Sequence, residues 1–493
     1  MRSVRVLAMV AIAGLLAAGV LIDLPDRPVP DRPVRYLSAL AAPAGVVSTW
    51  FCPGGSGPDG AAELTIGLAS GSDQRRTAAV SVLPGGSDPS EPRTVDVEIE
   101  PRGSVLMKPS EEVPGARWLG AVVEVDGTDV VVEQILAAEQ GDVGRSACLT
   151  RTAGSWLVPH GATRSAVEGE RFIVMLLNPF PDIAVADIEL VADVGRDTID
   201  GLVVPAQRVV AVDITDEITV ATSVAAFVEV VSGRLAASWI QIADGPIAGR
   251  GARASAAVSG AAPQWHLPVA AVGAARRDVV AIANPSADIA EVDLEILAEA
   301  PGTDVRPIEI TVRPGRTALV DLSQQGRLVG IGPFSVVVRS LDDAPVAASI
   351  HSVTFAADAA GAAGDAVAVV AGSTATIGAD AAAHRWLVAA EAADSEVAAG
   401  GGGESSILVV VNPSSVGIAQ VALSVDGETV RRLEVGPRRR ASVALDRLGS
   451  GRFVVEVESS APVVAGTELI GLTSRTASLG SAVSEPVSAA DIR

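Results

Sequence analysis

Phe172-Ile173-Val174-Met175-Leu176-Leu177-Asn178-Pro179 is an unbroken apolar run that stops at an Asn-Pro corner. It is short for a helix, carries β-branched residues and ends in turn formers, so it reads as a buried β-strand. Asn before Pro is pushed towards extended geometry, Pro fixes the next φ for a turn, and the Asn side chain can close an Asx turn. The same corner follows residues 279–283 at Asn284-Pro285 and residues 407–411 at Asn412-Pro413, and the chain has no other asparagine. Asn178, Asn284 and Asn412 therefore mark one strand in three copies of a repeat. Residues 64–69, closed by Ser70-Gly71, supply the matching strand of a first, divergent copy.

Other landmarks keep the same order. Trp50, Trp156, Trp265 and Trp386 open the four copies. After the Asn-Pro strand come Val204-Pro205 with Arg208, Arg313-Pro314 with Arg316, and Gly436-Pro437 with Arg439 or Arg440. Phe227, Phe334 and Phe453 then lead Val-rich strands. Each copy reads as about seven short strands in roughly 105–120 residues, which suits a sandwich better than a propeller blade of about 40–50 residues. The expected fold is all-β: an N-terminal transmembrane helix followed by about four tandem immunoglobulin-like antiparallel β-sandwich repeats. A β-solenoid, or an eight-bladed arrangement with two blades per copy, is the competing reading. The expected boundaries are a tip at 1–5, a signal-anchor at 6–22, a Pro-rich stalk at 23–46, repeats at 47–153, 154–263, 264–384 and 385–487, and a tail at 488–493. Segments 249–263, 356–383 and 392–403, rich in Ala, Gly and Ser, read as flexible loops.

Composition narrows the partners. The 493-residue chain has a formal net charge of −22, with Lys108 its one lysine, which argues against nucleic acid and against anionic lipid headgroups. Residues 6–22 are apolar or Gly, with Arg2 and Arg5 before them and Asp23 and Asp26 after. That pattern predicts a single-pass anchor with the bulk of the chain extracytoplasmic; secretion after signal cleavage is the alternative. Cys52 and Cys148 are the only cysteines, and in that compartment they are expected to form a disulfide.

Candidate sites are sparse. The four register tryptophans suit core positions, whereas Trp118 and Trp239 fall outside the register and are the better candidates for ligand contact. Arg208 with Asp213, Arg316 with Asp321 and Arg440 with Asp446 read as turn caps or exposed ion pairs rather than a calcium site, although Asp213, Asp216 and Glu217 form the densest acidic cluster. His160, His266, His351 and His384 show no zinc spacing and read as ordinary strand-end or loop residues. No catalytic, cofactor-binding or metal-ligating residue can be assigned, and none is expected.

The ordered series Trp, apolar strand into Asn-Pro, Val-x-Pro with Arg, Phe-led strand and final apolar strand resembles the repeat of an uncharacterised actinobacterial family. Its members are single-pass or secreted proteins carrying a domain of unknown function. The resemblance would cover Trp50 to about Val487, and the first copy departs from it most. It implies a cell-envelope setting and carries no catalytic residues. The expectation is a membrane-anchored, non-enzymatic structural or interaction protein that presents its repeats to an envelope protein or assembly. A glycan-binding accessory module is the alternative, and a hydrolase the third choice.

Overall fold

The computed structural model describes residues 40–41, 47–138, 143–164, 169–245, 249–273, 275–355, 370–392, 405–470 and 475–483. The expected anchor at 6–22, most of the stalk and the C-terminal tail lie outside the described residues. Among the described residues no helix is long and apolar enough to cross a membrane.

The all-β expectation holds. Among the described residues the only α-helices are Pro109–Glu112 and Ile214–Glu217, each one turn long. Repeat 2 shows the unit. Its first sheet runs Ser155–Gly161, Val224–Ser232, Ala184–Ala192, Arg196–Val204, and its second runs Arg208–Asp213, Glu170–Asn178, Ala236–Gly245, Gly249–Ala256, each sheet four-stranded. Repeat 3 repeats this order strand for strand. In repeat 4 one 19-residue strand, Arg452–Ile470, runs through both sheets. In repeat 1 the two sheets are joined by the Ser56–Glu63 pairing.

Each Asn is the corner that was expected. Asn178 Oδ1 accepts from Phe180 N at 3.1 Å, while its Nδ2 donates to Asp182 O at 2.8 Å and Val204 O at 3.1 Å. Asn284 and Asn412 do the same with Ser286, Asp288 and Val312, and with Ser414, Gly417 and Val435. The tryptophans tie one sheet to the other. Trp156, Trp265 and Trp386 donate Nε1–H to Leu235 O, Val346 O and Val463 O at 2.9, 2.6 and 2.7 Å. One landmark was misaligned: Phe334 faces Ala270 four residues before the tryptophan's partner, and Phe453 keeps that offset, but Phe227 sits directly before Val228, the partner of Trp156.

The tandem immunoglobulin-like arrangement is overturned. The second sheet of each repeat packs on the first sheet of the repeat before it, and the second sheet of repeat 1 packs on repeat 4. The result is a closed, propeller-like ring made by one heterologous interface used four times. The cause lies in the opening stretch. In Glu170–Asn178 every residue but Arg171 is buried, so this sheet must be covered on both faces and one repeat alone cannot do it. One apolar cluster accordingly runs through repeats 1–3, and a second fills repeat 4 and takes in Val269, Leu297 and Val337 of repeat 3. A third joins Ala69 and Val131 of repeat 1 to Leu387, Ala389 and Val454 of repeat 4.

The loops expected at 249–263 and 356–383 are corrected too: they contain the strands Gly249–Ala256 and Val370–Ile377. With Val143–Ala147 and Arg475–Leu479 these are the innermost strands, each packed against the next around a closed cycle. Small residues permit that approach. A Cβ on Gly144 would lie 2.8 Å from Ala254 N, and the space left where the four strands converge is about 20 Å³. Side chains bridge neighbours there: Ser255 Oγ accepts from Ile377 N at 3.2 Å, and Thr374 Oγ1 from Ala477 N at 3.0 Å.

Arginines clamp the junctions. Arg208, Arg316 and Arg439, each opposite its Asn, reach back to the carbonyls of Ser90, Ala192 and Thr303 in the preceding repeat. They do not pair with the aspartates. Asp213 and Asp321 instead cap Thr215 N and Ser323 N and pair with Arg171 and Arg277. The ring closes through Arg452 on Glu133, 9% and 2% exposed, and Arg145 on Glu391. The Cys52–Cys148 disulfide is present, joining the middle of the Val47–Ser56 strand to the residue just after the Val143–Ala147 strand, 96 positions apart.

Removing one partner of a buried ion pair leaves an uncompensated charge and costs about 3–5 kcal/mol. Arg452→Met should therefore destabilise by that amount in denaturant unfolding, and adding Glu133→Gln should restore much of it. Equal stability of Arg452→Met and wild type would show that this pair does not hold the closure. Replacing both cysteines by serine removes the loop constraint and should cost up to about 4–5 kcal/mol; an unchanged midpoint would contradict that.

Candidate functional site

The junction between repeats 2 and 3 holds a partly open cavity of about 430 Å³. Repeat 2 contributes His160 from the end of the Trp156 strand and Ala162 just after it, Arg164 and Glu170 around the entry to the next strand, Thr222, Gln241, and Arg253 from the innermost strand. Repeat 3 contributes Arg277, Val279, Leu319, Asp321, His351 and Val353. Thr222, Arg277 and Leu319 are exposed and form the mouth, while Glu170, Gln241 and Arg253 are buried.

The wall is built by specific partners. Gln241 donates to Ala162 O at 2.9 Å and accepts from Ala162 N at 2.8 Å, fixing the strand end that carries His160. Glu170 accepts from Arg164 Nε at 2.8 Å and lies 3.7 Å from Arg253, whose Nε donates to Ser373 Oγ at 2.9 Å. Arg277 donates to Asp321 at 2.7 Å. Burial opposes ionisation of Asp321, but hydrogen bonds from Ser323 and Arg277 outweigh it and hold the carboxyl below its ordinary value.

Two imidazoles meet edge to face, His160 against His351 with centroids 4.6 Å apart, and His351 stacks on Trp239 at 5.6 Å. His160 Nδ1 is 3.1 Å from Ser223 Oγ and His351 Nε2 is 3.1 Å from Ser349 Oγ. Burial pushes His160 down to about 4, Arg253 and Arg164 add to this, and Asp193 opposes it. His351 lies well below its ordinary value through burial, then His160 and Arg253. Both rings are therefore neutral near pH 7, and the cavity offers neutral imidazoles and guanidinium groups to one small volume.

The sequence-based candidates sit elsewhere. Trp239 is fully buried beneath His351 and has no exposed face, which corrects its assignment as a ligand contact. Trp118 is half-buried beside Gly85 at the junction of repeats 1 and 2. Asn178, Asn284 and Asn412 are structural corners, and Cys52 and Cys148 lie in repeat 1. No group of three or more His, Cys, Asp or Glu able to hold a metal occurs among the described residues. His160 and His351 were read as ordinary, yet a signal existed. Four residues after their tryptophans the other copies carry Gly54, Val269 and Ala390 where repeat 2 has His160. In strand register His351 replaces Ile135 and Ile240, with Glu468 in repeat 4.

His266, buried beside Trp265, is also lowered to about 4, by burial and then Arg339. The unfolded chain takes up these protons near pH 6.5, the folded chain only near 4, so stability should fall as pH drops from about 6.5 towards 4. His266→Gln should flatten part of that decline. A denaturation midpoint with the same slope in wild type and variant would refute the assignment.

No family model matches the chain, and no curated protein matches it. Among solved structures, one titled Crystal Structure of Thermotoga maritima 1070 aligns over 24% of this chain and 93% of its own, at 17% identity and a TM-score of 0.19, too distant to carry an argument.

Proposed function

We propose that this chain is an extracytoplasmic structural or interaction protein of the cell envelope, held at the membrane by residues 6–22 and acting without catalysis. The observation that supports this reading is the closed ring of four repeats, each ending its first sheet in an exposed outer strand. These are Arg93–Ile99, Arg196–Val204, Ile308–Val312 and Glu428–Val435. Their charges, such as Asp96, Asp197, Glu309 and Arg431, discourage indiscriminate strand pairing while leaving main-chain edges for a matched partner. Four related edges on one closed ring give a multivalent surface. The resemblance to single-pass envelope repeat proteins points the same way.

A glycan-binding reading has its own support. Repeat 4 carries an open groove of about 420 Å³ lined by His384, Arg385, Gln420, Arg432 and Glu458, and Trp118 remains half-exposed.

Crosslinking of the full chain in native membranes should capture a defined envelope protein, and capture should drop several-fold when exposed Arg431 and Arg432 are both changed to Glu. Neighbours identical to those of an unrelated anchored protein would sink the interaction reading. Binding of purified envelope polysaccharide that is lost in Trp118→Ala would favour the glycan reading instead. A carboxy-terminal reporter active only outside the cytoplasm is expected, and cytoplasmic activity would overturn the topology.

A further inference from the structure

The four outer strands differ in what their charges do. In repeats 1 to 3 the chain itself engages them: Arg75 holds Glu98, Glu112 holds Arg93, Glu189 holds Arg196, and Arg306 holds Glu309. Asp96, Asp197 and Asp200 remain, all of one sign, and like charges placed opposite each other repel a second strand. Repeat 2 also breaks its ladder at Asp200-Gly201, and Pro307 and Pro314 bracket the edge of repeat 3.

Repeat 4 is different. Among the described residues Glu428–Val435 pairs only with Ala419–Val425, so its other side is a bare ladder edge. A register shift at Val430 and the turn residues Gly436-Pro437 bound a regular run, Arg431–Val435. Arg432 and Glu434 stand two positions apart on one exposed face of it, opposite Ala422 and Gln420. Glu434 accepts from Gln420 Nε2 at 3.2 Å, and among the described residues Arg432 has no hydrogen bond or ion pair. Leu433, between them, is half-buried at the margin of the repeat 4 core.

This run is complementary to itself. When two copies lie antiparallel about Leu433, Leu433 faces Leu433, and each Arg432 faces the other copy's Glu434. Opposite charges directly across an antiparallel pair stabilise it. A slip of one residue would mix the two faces, and a slip of two would set Arg432 on Arg432 or Glu434 on Glu434, so a single register is selected.

We infer that the outer strand of repeat 4 pairs with a second copy of this chain, antiparallel about Leu433, joining two first sheets across a two-fold axis. The contact is isologous and closes at two copies. It rests on reading the outer strands as docking edges and names the partner of one of them. Five residues make a small contact, so the dimer forms and dissociates with concentration.

Sedimentation of the purified full chain in detergent over a concentration series tests this, and a monomer–dimer equilibrium is expected. Arg432→Glu and Glu434→Arg each set like charges against each other twice, and each should weaken self-association by about tenfold. Mixed in equal amounts, the two variants should pair again, because each then meets its opposite. Leu433→Cys should oxidise to an inter-chain disulfide and Thr429→Cys should not, the native cysteines being already joined. A chain that stays monomeric, a dimer untouched by either reversal, or a mixture that fails to pair would each overturn the inference. A monomer that still captures an envelope protein would sink this inference alone, and a dimer with only generic membrane neighbours would sink the envelope-partner reading alone.

Discussion

The convergence of four innermost strands is the constraint on which the other features depend. Val143–Ala147, Gly249–Ala256, Val370–Ile377 and Arg475–Leu479 come from four different repeats, and each must lie beside two others. Strands can approach so closely only when their side chains are small. Gly144 shows the limit, since one added methyl would collide with the backbone of the neighbouring repeat. Once these strands are in place, the second sheets are brought against the first sheets of their neighbours. Arginines opposite the Asn corners then find their carbonyls, and Arg452 finds Glu133. Closure also relieves the problem that the unbroken apolar strands create, because each gains cover on its second face only from another repeat.

Much of the unit was legible in the sequence, and the assembly was not. Asn178, Asn284 and Asn412 act locally, through an Asx turn within two residues and a carbonyl across one sheet, so their pattern could be read directly. The tryptophans were equally readable, because a large side chain that recurs once per copy needs a core. The innermost strands were hidden by the property that lets them work. Sequences such as Gly249-Arg250-Gly251-Ala252-Arg253-Ala254 lack the β-branched and aromatic residues that signal strands, and they resemble linkers. Their structure is imposed by long-range packing, which overrides local propensity. The misaligned Phe227 has the same origin, since sequence order alone cannot show which residue faces the tryptophan strand. The apolar run 172–177 did contain the missing information: burial on both faces means a cover from outside the repeat.

The four junctions share one geometry but not one chemistry. The arginine opposite the Asn reaches backwards in repeats 2, 3 and 4. Repeat 1 departs, with Ser70 at the Asn position, its own disulfide, and a closing junction that relies on Arg452–Glu133 and Arg145–Glu391. That divergence fits its place. As the first copy it must receive the last one after some 300 intervening residues, a contact of high entropic cost to form. Buried ion pairs add little net stability but penalise wrong partners strongly, so they suit a closure that must choose one register.

The junction of repeats 2 and 3 then stands out on energetic grounds. A buried His351, a buried Arg253 and a buried Glu170 all carry desolvation costs that an apolar filling would avoid. The neighbouring junction fills the equivalent space with a paired Glu468, so the fold does not require a cavity there. Substituting His351 by the Ile found at Ile135 and Ile240 would be the cheaper structural choice. The junction of repeats 2 and 3 thus keeps polar groups around an open volume at a place where the neighbouring junction sets an ion pair.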